Sequence, residues 1–196
     1  MIIQPFDIKN LDIVAAALAK MWGKDITRGI EHNVEFAREV VLNMFLDPQL
    51  ALQACDDGGT MQAVAFALMK NDVNTSQQWV QDFLADKDEQ ERKHVLDATA
   101  YLLRTEHDML NLMTDDSAKF SFLISYKRGY AKALQERLMQ MLIDQGARWT
   151  YHITDSTCSW QYFNNHGYER VHEELVEQFS TSTTPYYCYI YRKRIQ

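Results

Sequence analysis

Apolar positions recur along the chain with two different periods, and the switches between them divide it into elements. Met1 to Phe6 reads as a short strand. From Ile8 the spacing becomes helical: Ile8, Leu11, Ala15, Leu18 and Trp22 share one face, with Asp7 or Asn10 as cap. A polar connection after Gly23 leads to a second helical segment, Asn33 to Leu46, whose buried stripe is Val34, Ala37, Val41, Met44 and Phe45 and which Pro48 closes. Alternation then takes over, with Leu50, Leu52 and Ala54 on one face of a strand ending at Asp56-Asp57-Gly58-Gly59, a hairpin signal. The return strand, Met61 to Met69, is nearly all apolar, as befits a strand covered on both faces.

Ser76 to Met113 reads as two or more helices, the first carrying Trp79, Phe83 and Leu84 and the second Val95, Ala98, Leu102 and Met109. Between them Asp86 to His94 is a charge run, read as a solvated helix end or loop. The stretch from about 74 to 113 is expected to be a helical insertion between the third and fourth strands. Lys119 to Leu142 then gives a strand, a basic turn at Gly129, and a helix with Tyr130, Leu134, Leu138 and Leu142 at i, i+4 spacing, closed by Gly146. Trp149 to Thr154 is another strand, Ser156 to Asn165 a short helix, and His166-Gly167 a turn. The last strands are Tyr168 to Gln178 and Tyr186 to Arg194, joined by the polar loop Ser180 to Pro185. The order predicts an α/β (α+β) domain with a mixed sheet.

With 196 residues, 46% of them apolar and 24% charged, the chain suits one domain with a sizeable core, here spanning 1–196. No apolar run approaches the roughly 20 residues a membrane helix needs, and Met1 is not followed by a basic and then apolar leader, so a cytoplasmic protein is expected. Cys55, Cys158 and Cys188 are odd in number and never in a C-x-x-C pair, which favours reduced thiols. The six histidines show no ligand spacing, so no metal is expected, although His152 and His172 could face each other across strands. A formal net charge of −7 argues against nucleic acid and is compatible with a cationic amine.

Against that acidic background the Gly129 turn is basic, with Lys127, Arg128 and Lys132 around it. A strand turning at glycine into a helix leaves backbone N–H groups unpaired and reinforced by the helix dipole, which is an anion site. The same residues would also suit a plain turn with a solvated basic face.

The element order, together with two short motifs, resembles the GNAT family of acyl-CoA-dependent N-acyltransferases over nearly the whole chain outside the insertion. Against the family's R/Q-x-x-G-x-G/A, the chain reads Tyr126-Lys127-Arg128-Gly129-Tyr130-Ala131, with Tyr126 where Arg or Gln is usual. Against N-x-x-A-x-x-F-Y-x-x-x-G-F it reads Ser156 to Tyr168, with Gly167-Tyr168 in register. The resemblance implies a mostly antiparallel central sheet flanked by helices. It places the pyrophosphate of CoA on the amides from Lys127 to Ala131, with added charge from Arg128 and Lys132. The pantetheine arm would lie along Leu123, Ile124 and Ser125 like an added strand, its thioester entering a splay between the fourth and fifth strands. Ser156, Ser159 and Phe163 of the second motif complete the implied cofactor contacts.

What the resemblance implies about function is acetyl-CoA-dependent acetylation of a primary amine, on a small molecule or a protein, by direct attack on the thioester. The residues depart from the family at the places where catalysis would show. Phe163 stands where a Tyr is commonly the general acid, leaving Tyr162, Tyr126 and Cys158 as donors. Lys119 stands where a Glu is commonly the base, leaving Glu106, Asp115, Asp116 and Asp155. The alternative is an acyl-CoA-binding sensor or interaction protein without catalysis. The insertion could shape the acceptor pocket or mediate a homodimer.

Overall fold

The computed structural model describes residues 1–196. Its strands are β1 (Ile2–Pro5), β2 (Ala51–Cys55), β3 (Met61–Met69), β4 (Ser117–Ser125), β5 (Trp149–Asp155), β6 (Glu169–Leu175) and β7 (Tyr187–Arg194). The helices are α1 (Leu11–Trp22), α2 (Asn33–Val40), α3 (Gln78–Leu84), α4 (Glu89–Leu112), α5 (Tyr130–Asp144) and α6 (Gln161–Asn165). All seven strands form one sheet in the order β1-β2-β3-β4-β5-β7-β6. Every pairing is antiparallel except β4 with β5. The mixed, mostly antiparallel sheet between helical layers is the architecture expected from the sequence.

One face of the sheet is built for close approach. Ala54, Ala63, Ala65, Ala67 and Ala118 present small side chains to α5, whose stripe of Leu134, Leu138 and Leu142 is completely buried against them. The opposite face carries larger groups, Val64, Phe66 and Phe122, under α1, α2 and α4. The two expected periodicities therefore meet across one sheet: i, i+4 on α5 against i, i+2 on β2 and β3.

The segment expected to be a helical insertion, between β3 and β4, packs into this second layer. Val95, Ala98, Tyr101, Leu102 and Leu103 of α4 lie in the same core cluster as Leu18 of α1 and Phe36 of α2. Its N-terminus is capped by the Asp88 carboxylate, which accepts from the Glu91 N–H at 2.8 Å. Glu91, within the charge run read as solvated, is buried instead: it accepts from the His32 backbone N–H at 2.8 Å and lies 3.0 Å from the His32 ring. It fastens the start of α4 to the start of α2.

Three other expectations are corrected. The segment after β5 is mostly turn, and α6 covers only Gln161–Asn165. Beyond α2, Val41–Phe45 continues as one wide π-type turn. His152 and His172 do not face each other, because β7 runs between their strands; His152 pairs with Tyr191 and His172 with the adjacent Ile190, which points to the other face.

Truncating the centre of the α5 stripe tests the close-approach face. Leu138→Ala leaves a cavity over alanines too small to fill it, so urea unfolding should show a loss of about 3 kcal/mol.

Candidate functional site

The site starts from an irregularity in β4. Phe66 pairs with Phe122 and Ala67 with Phe120, leaving Ser121 as an extra residue opposite the junction, a β-bulge. The bulge reverses the alternation. Before it, Phe120 faces α5 and Lys119 faces the α1–α4 layer; after it, Phe122 and Ile124 face the α1–α4 layer and Leu123 faces the other side. Without it, Phe122 and Ile124 would turn to the α5 side.

The same region lacks a neighbour on one edge. The parallel ladder joins Ser117 to Trp149, Ala118 to Thr150 and Lys119 to Tyr151, and then the strands part. Beyond that point β4 bonds only to β3, and β5 only to β7. The gap is a splay whose backbone edges face each other without a common ladder.

A cavity of about 440 Å³ opens into the splay from the α5–α6 side, between Phe120, His152, Thr154, Cys158, Tyr162 and Phe163. It runs toward a groove of about 1010 Å³ along α5, bounded by Leu123, Ser125, Gly129, Ala131, Lys132 and Tyr168. From the α1–α4 side a smaller cavity of about 110 Å³ reaches the same splay, between Leu18, Trp22, Tyr101, Glu106, Lys119 and Asp155. Phe120, Ser121, Phe122, Ile153, Thr154 and Cys158 line both the large and the small splay cavities, so the two sides meet there. The Ser121 hydroxyl is buried in that zone without a partner.

At the far end of the groove, Gly129 caps α5 with φ +92°, a left-handed conformation in which glycine avoids the Cβ penalty. No side chain caps the helix, so its first N–H groups point outward. Lys127, Arg128 and Lys132 are exposed around it; Lys127 Nζ lies 5.6 Å from the Tyr130 ring and Lys132 pairs loosely with Glu136 at 3.7 Å. The Tyr130 ring itself belongs to the core.

The residues expected to contact a cofactor therefore divide. Leu123, Ser125, Gly129, Ala131, Lys132, Ser159 and Phe163 line the groove or the splay cavity. The Ile124 side chain points into the opposite core. Ser156 lies away from both, its hydroxyl accepting from the Tyr187 N–H at 3.0 Å and so tying β5 to β7.

Of the three expected proton donors, Cys158 lines both splay cavities and Tyr162 the larger one, while Tyr126 is exposed beyond β4 and borders neither. Burial, followed by the charge of Asp155, pushes the Cys158 thiol up to about 11, so it keeps its proton at neutral pH. The Tyr162 hydroxyl donates to Gln135 Oε1 at 3.1 Å, and its ring stacks on His166 at 3.9 Å. With only a short α6, Tyr162 and Phe163 both reach the cavity wall despite being successive residues.

The four candidate bases separate as well. Asp115 pairs with Lys70 at 3.0 Å, and Asp116 accepts from Thr114 Oγ1 at 2.6 Å; both precede the paired end of β4 and border neither splay cavity. Asp155 lines the small cavity, but its Oδ1 accepts from the Thr157 N–H at 2.8 Å and hydroxyl at 2.5 Å, and its Oδ2 faces Cys158 Sγ at 3.6 Å. Glu106, on α4, is buried and ion-paired with Lys119 through Oε1, whereas its Oε2 has no partner. Burial pulls the Lys119 ammonium down and Glu106 opposes that pull.

His152 was left without a role by the sequence. It is enclosed by Phe120, Phe163 and Tyr168 with centroids 5.0–5.3 Å away, its Nε2 unpartnered, and burial drives it down to about 3. Its alternation with Tyr151 on a buried strand was visible; the aromatic box depends on α6 and β6, far along the chain. Asp108, His172 and Glu174 offer ligand atoms within 4.8 Å of one another, but Glu174 already pairs with Arg104 at 3.1 Å.

No protein-family model matches the chain, and no curated protein is similar to it in sequence. Its fold is nonetheless that of the GNAT N-acetyltransferases. It is similar to arylalkylamine N-acetyltransferase 2 from Aedes aegypti at a TM-score of 0.63 and 16% identity, covering 100% of this chain and 99% of that one. It is also similar to the polyamine N-acetyltransferase of Drosophila melanogaster, which forms N-acetylagmatine, at 0.58 and 11%, covering 98% and 99%. The ribosomal-protein-S18-alanine N-acetyltransferase of Escherichia coli gives 0.51 and 14%, covering 100% and 94%.

His152 gives an acid signature. Its folded pKa lies below its unfolded value of about 6.5, so the unfolded chain takes up the proton first; the stability it contributes is complete above pH 6.5 and is lost as pH falls toward 3. His152→Phe should remove about 2 kcal/mol of the stability difference between pH 7 and pH 4.5, read by urea unfolding of both proteins at each pH.

Proposed function

We propose that the protein transfers an acetyl group from acetyl-CoA to a primary amine. The observation that carries this reading is the single line of space from the uncapped N-terminus of α5, along its groove, into the splay and out to the α1–α4 side. In that line the pyrophosphate would take the amides at Gly129 to Lys132, where the helix dipole and the charges of Lys127 and Arg128 favour an anion.

The pantetheine would follow the unpaired edge of Phe120 to Ser125, its amides supplying the hydrogen bonds that β5 does not. The thioester would then lie at the Ser121 bulge, where the two splay cavities join. An amine entering from the α1–α4 side would meet its carbonyl there. Positioning the two reactants supplies much of the rate, and Cys158 and Tyr162 are the donors lining the place where the sulfur departs.

The fold does not choose the acceptor. Structures similar to this one bear the names of arylalkylamine, polyamine and ribosomal-protein acetyltransferases. A sensor that binds acyl-CoA without turnover would keep the groove and lose the chemistry; Phe163 is the residue that favours it.

Incubating the protein with acetyl-CoA and a panel of amines, with thiol release as readout, tests the reading. Turnover above the amine-free rate is expected, and none across a broad panel, with CoA still bound, would favour the sensor. Lys127→Ala with Arg128→Ala should raise KM for acetyl-CoA by roughly tenfold with kcat little changed, an effect that shrinks as salt is added.

A further inference from the structure

The small cavity differs in chemistry from the rest of the site. Its walls are Leu18, Trp22, Phe45 and Tyr101, and the sole side chain in it with an open charged oxygen is Glu106. Asp155 is the other carboxylate there, and three donors within its own turn already occupy it. Glu106 is held differently. Lys119 fixes Oε1, the Lys119 ammonium is itself anchored over the Phe45 ring at 4.6 Å and toward the Met44 carbonyl at 3.4 Å, and Oε2 is buried with nothing to accept from. A buried carboxylate oxygen without a donor is costly, and a ligand ammonium would supply one.

We propose that Glu106 receives the acceptor amine, and that the acceptor is a small primary amine on a compact apolar body. The proposal rests on the acetyl-transfer reading above. Size supports it: about 110 Å³ accommodates a short alkyl chain or an aromatic ring, on the scale of an engineered cavity of roughly 150 Å³ that takes benzene. A polypeptide acceptor is much larger than this space and would have to bring backbone amides past the apolar Leu18, Trp22 and Phe45 side chains.

In the reaction, the amine nitrogen attacks the thioester carbonyl. Before the attack the bound ammonium gives one proton through Glu106 Oε2 to solvent; as the C–N bond forms and the C–S bond breaks, the second proton leaving nitrogen passes to Glu106 Oε2, and the thiolate takes one proton from Cys158 or Tyr162, which regains it from solvent. The ionisable groups that line the cavity with Glu106 are Lys119 from β4, Asp155 from the end of β5, Cys158 from the turn after it, and Tyr101 five residues earlier on α4. Lys119 fixes the rotamer of Glu106. The common strand position of the family's base is thus filled by a cation whose partner is the carboxylate on α4.

The test uses a double variant, because Glu106→Gln alone leaves Lys119 buried without a counter-charge and could unfold. Glu106→Gln combined with Lys119→Met removes both charges and keeps the space filled. Calorimetric binding of 2-phenylethylamine, n-pentylamine and a lysine peptide to the protein alone is measured beside acetyl-CoA binding and turnover.

The wild type should bind the two small amines and not the peptide. The double variant should lose that binding at least tenfold and lose kcat/KM for the amine about a hundredfold, while acetyl-CoA affinity stays within twofold. Retention of amine binding and turnover within threefold in the folded double variant would overturn the proposal. So would equal binding of the peptide, absence of small-amine binding to the wild type, or a greater loss in Asp155→Asn than in the double variant. Failure of acetyl-CoA to bind at all would sink the acetyl-transfer reading separately, since amine binding is read without it.

Discussion

The arrangement of this molecule depends on two strands that pair for three residues and then separate. β4 and β5 are the sole parallel neighbours in the sheet, and each is fully paired on its other side, so neither can close the gap by slipping toward the other without breaking a long antiparallel ladder. The unpaired edges of a splay in mid-sheet would ordinarily be a liability, because backbone N–H and C=O groups need partners. Here helices close over both sides and leave space between. The Ser121 bulge sets what that space contains, since it turns Leu123 and Ser125 to the groove while keeping Phe122 and Ile124 in the core.

Charge is distributed around the splay with a clear division. The turn at Gly129 concentrates cations and helix N–H groups on the α5 side of a protein with net charge −7. The α1–α4 side holds Asp155 and Glu106, the latter paired with the buried Lys119. An anionic cofactor tail and a cationic acceptor would thus approach from opposite sides, each toward the charge that attracts it.

What could be read in the sequence was what is local or periodic. The α5 stripe, the β2–β3 hairpin and the glycine turn each follow from residues a few positions apart, and each lies where the periodicity put it. The bulge could not be seen, because it is a register difference between β3 and β4 and depends on how two distant segments align. The Lys119–Glu106 pair was visible as an anomaly on one side, Lys119 in an apolar strand, and Glu106 was named as one of four carboxylates. What separates the four is their hydrogen-bond partners, supplied by tertiary contacts. Glu91 was misread for the same reason: its burial comes from His32, 59 residues away, not from the charge run around it.

Phe163 can be weighed more closely once its surroundings are known. It stacks on Tyr191 at 4.9 Å and packs edge-on against Tyr168, so the ring helps hold α6 to the end of the sheet. That packing accounts for an apolar aromatic residue there on structural grounds alone. The donors that line the splay instead come from its neighbours, Tyr162 on the same turn and Cys158 at the end of β5. An absent acid at one family position is therefore weak grounds for a silent protein when the cavity wall carries two other protons. The stronger discriminator is the acceptor side: a sensor of acyl-CoA has no use for an open carboxylate oxygen buried in a second cavity, and an amine acetyltransferase does.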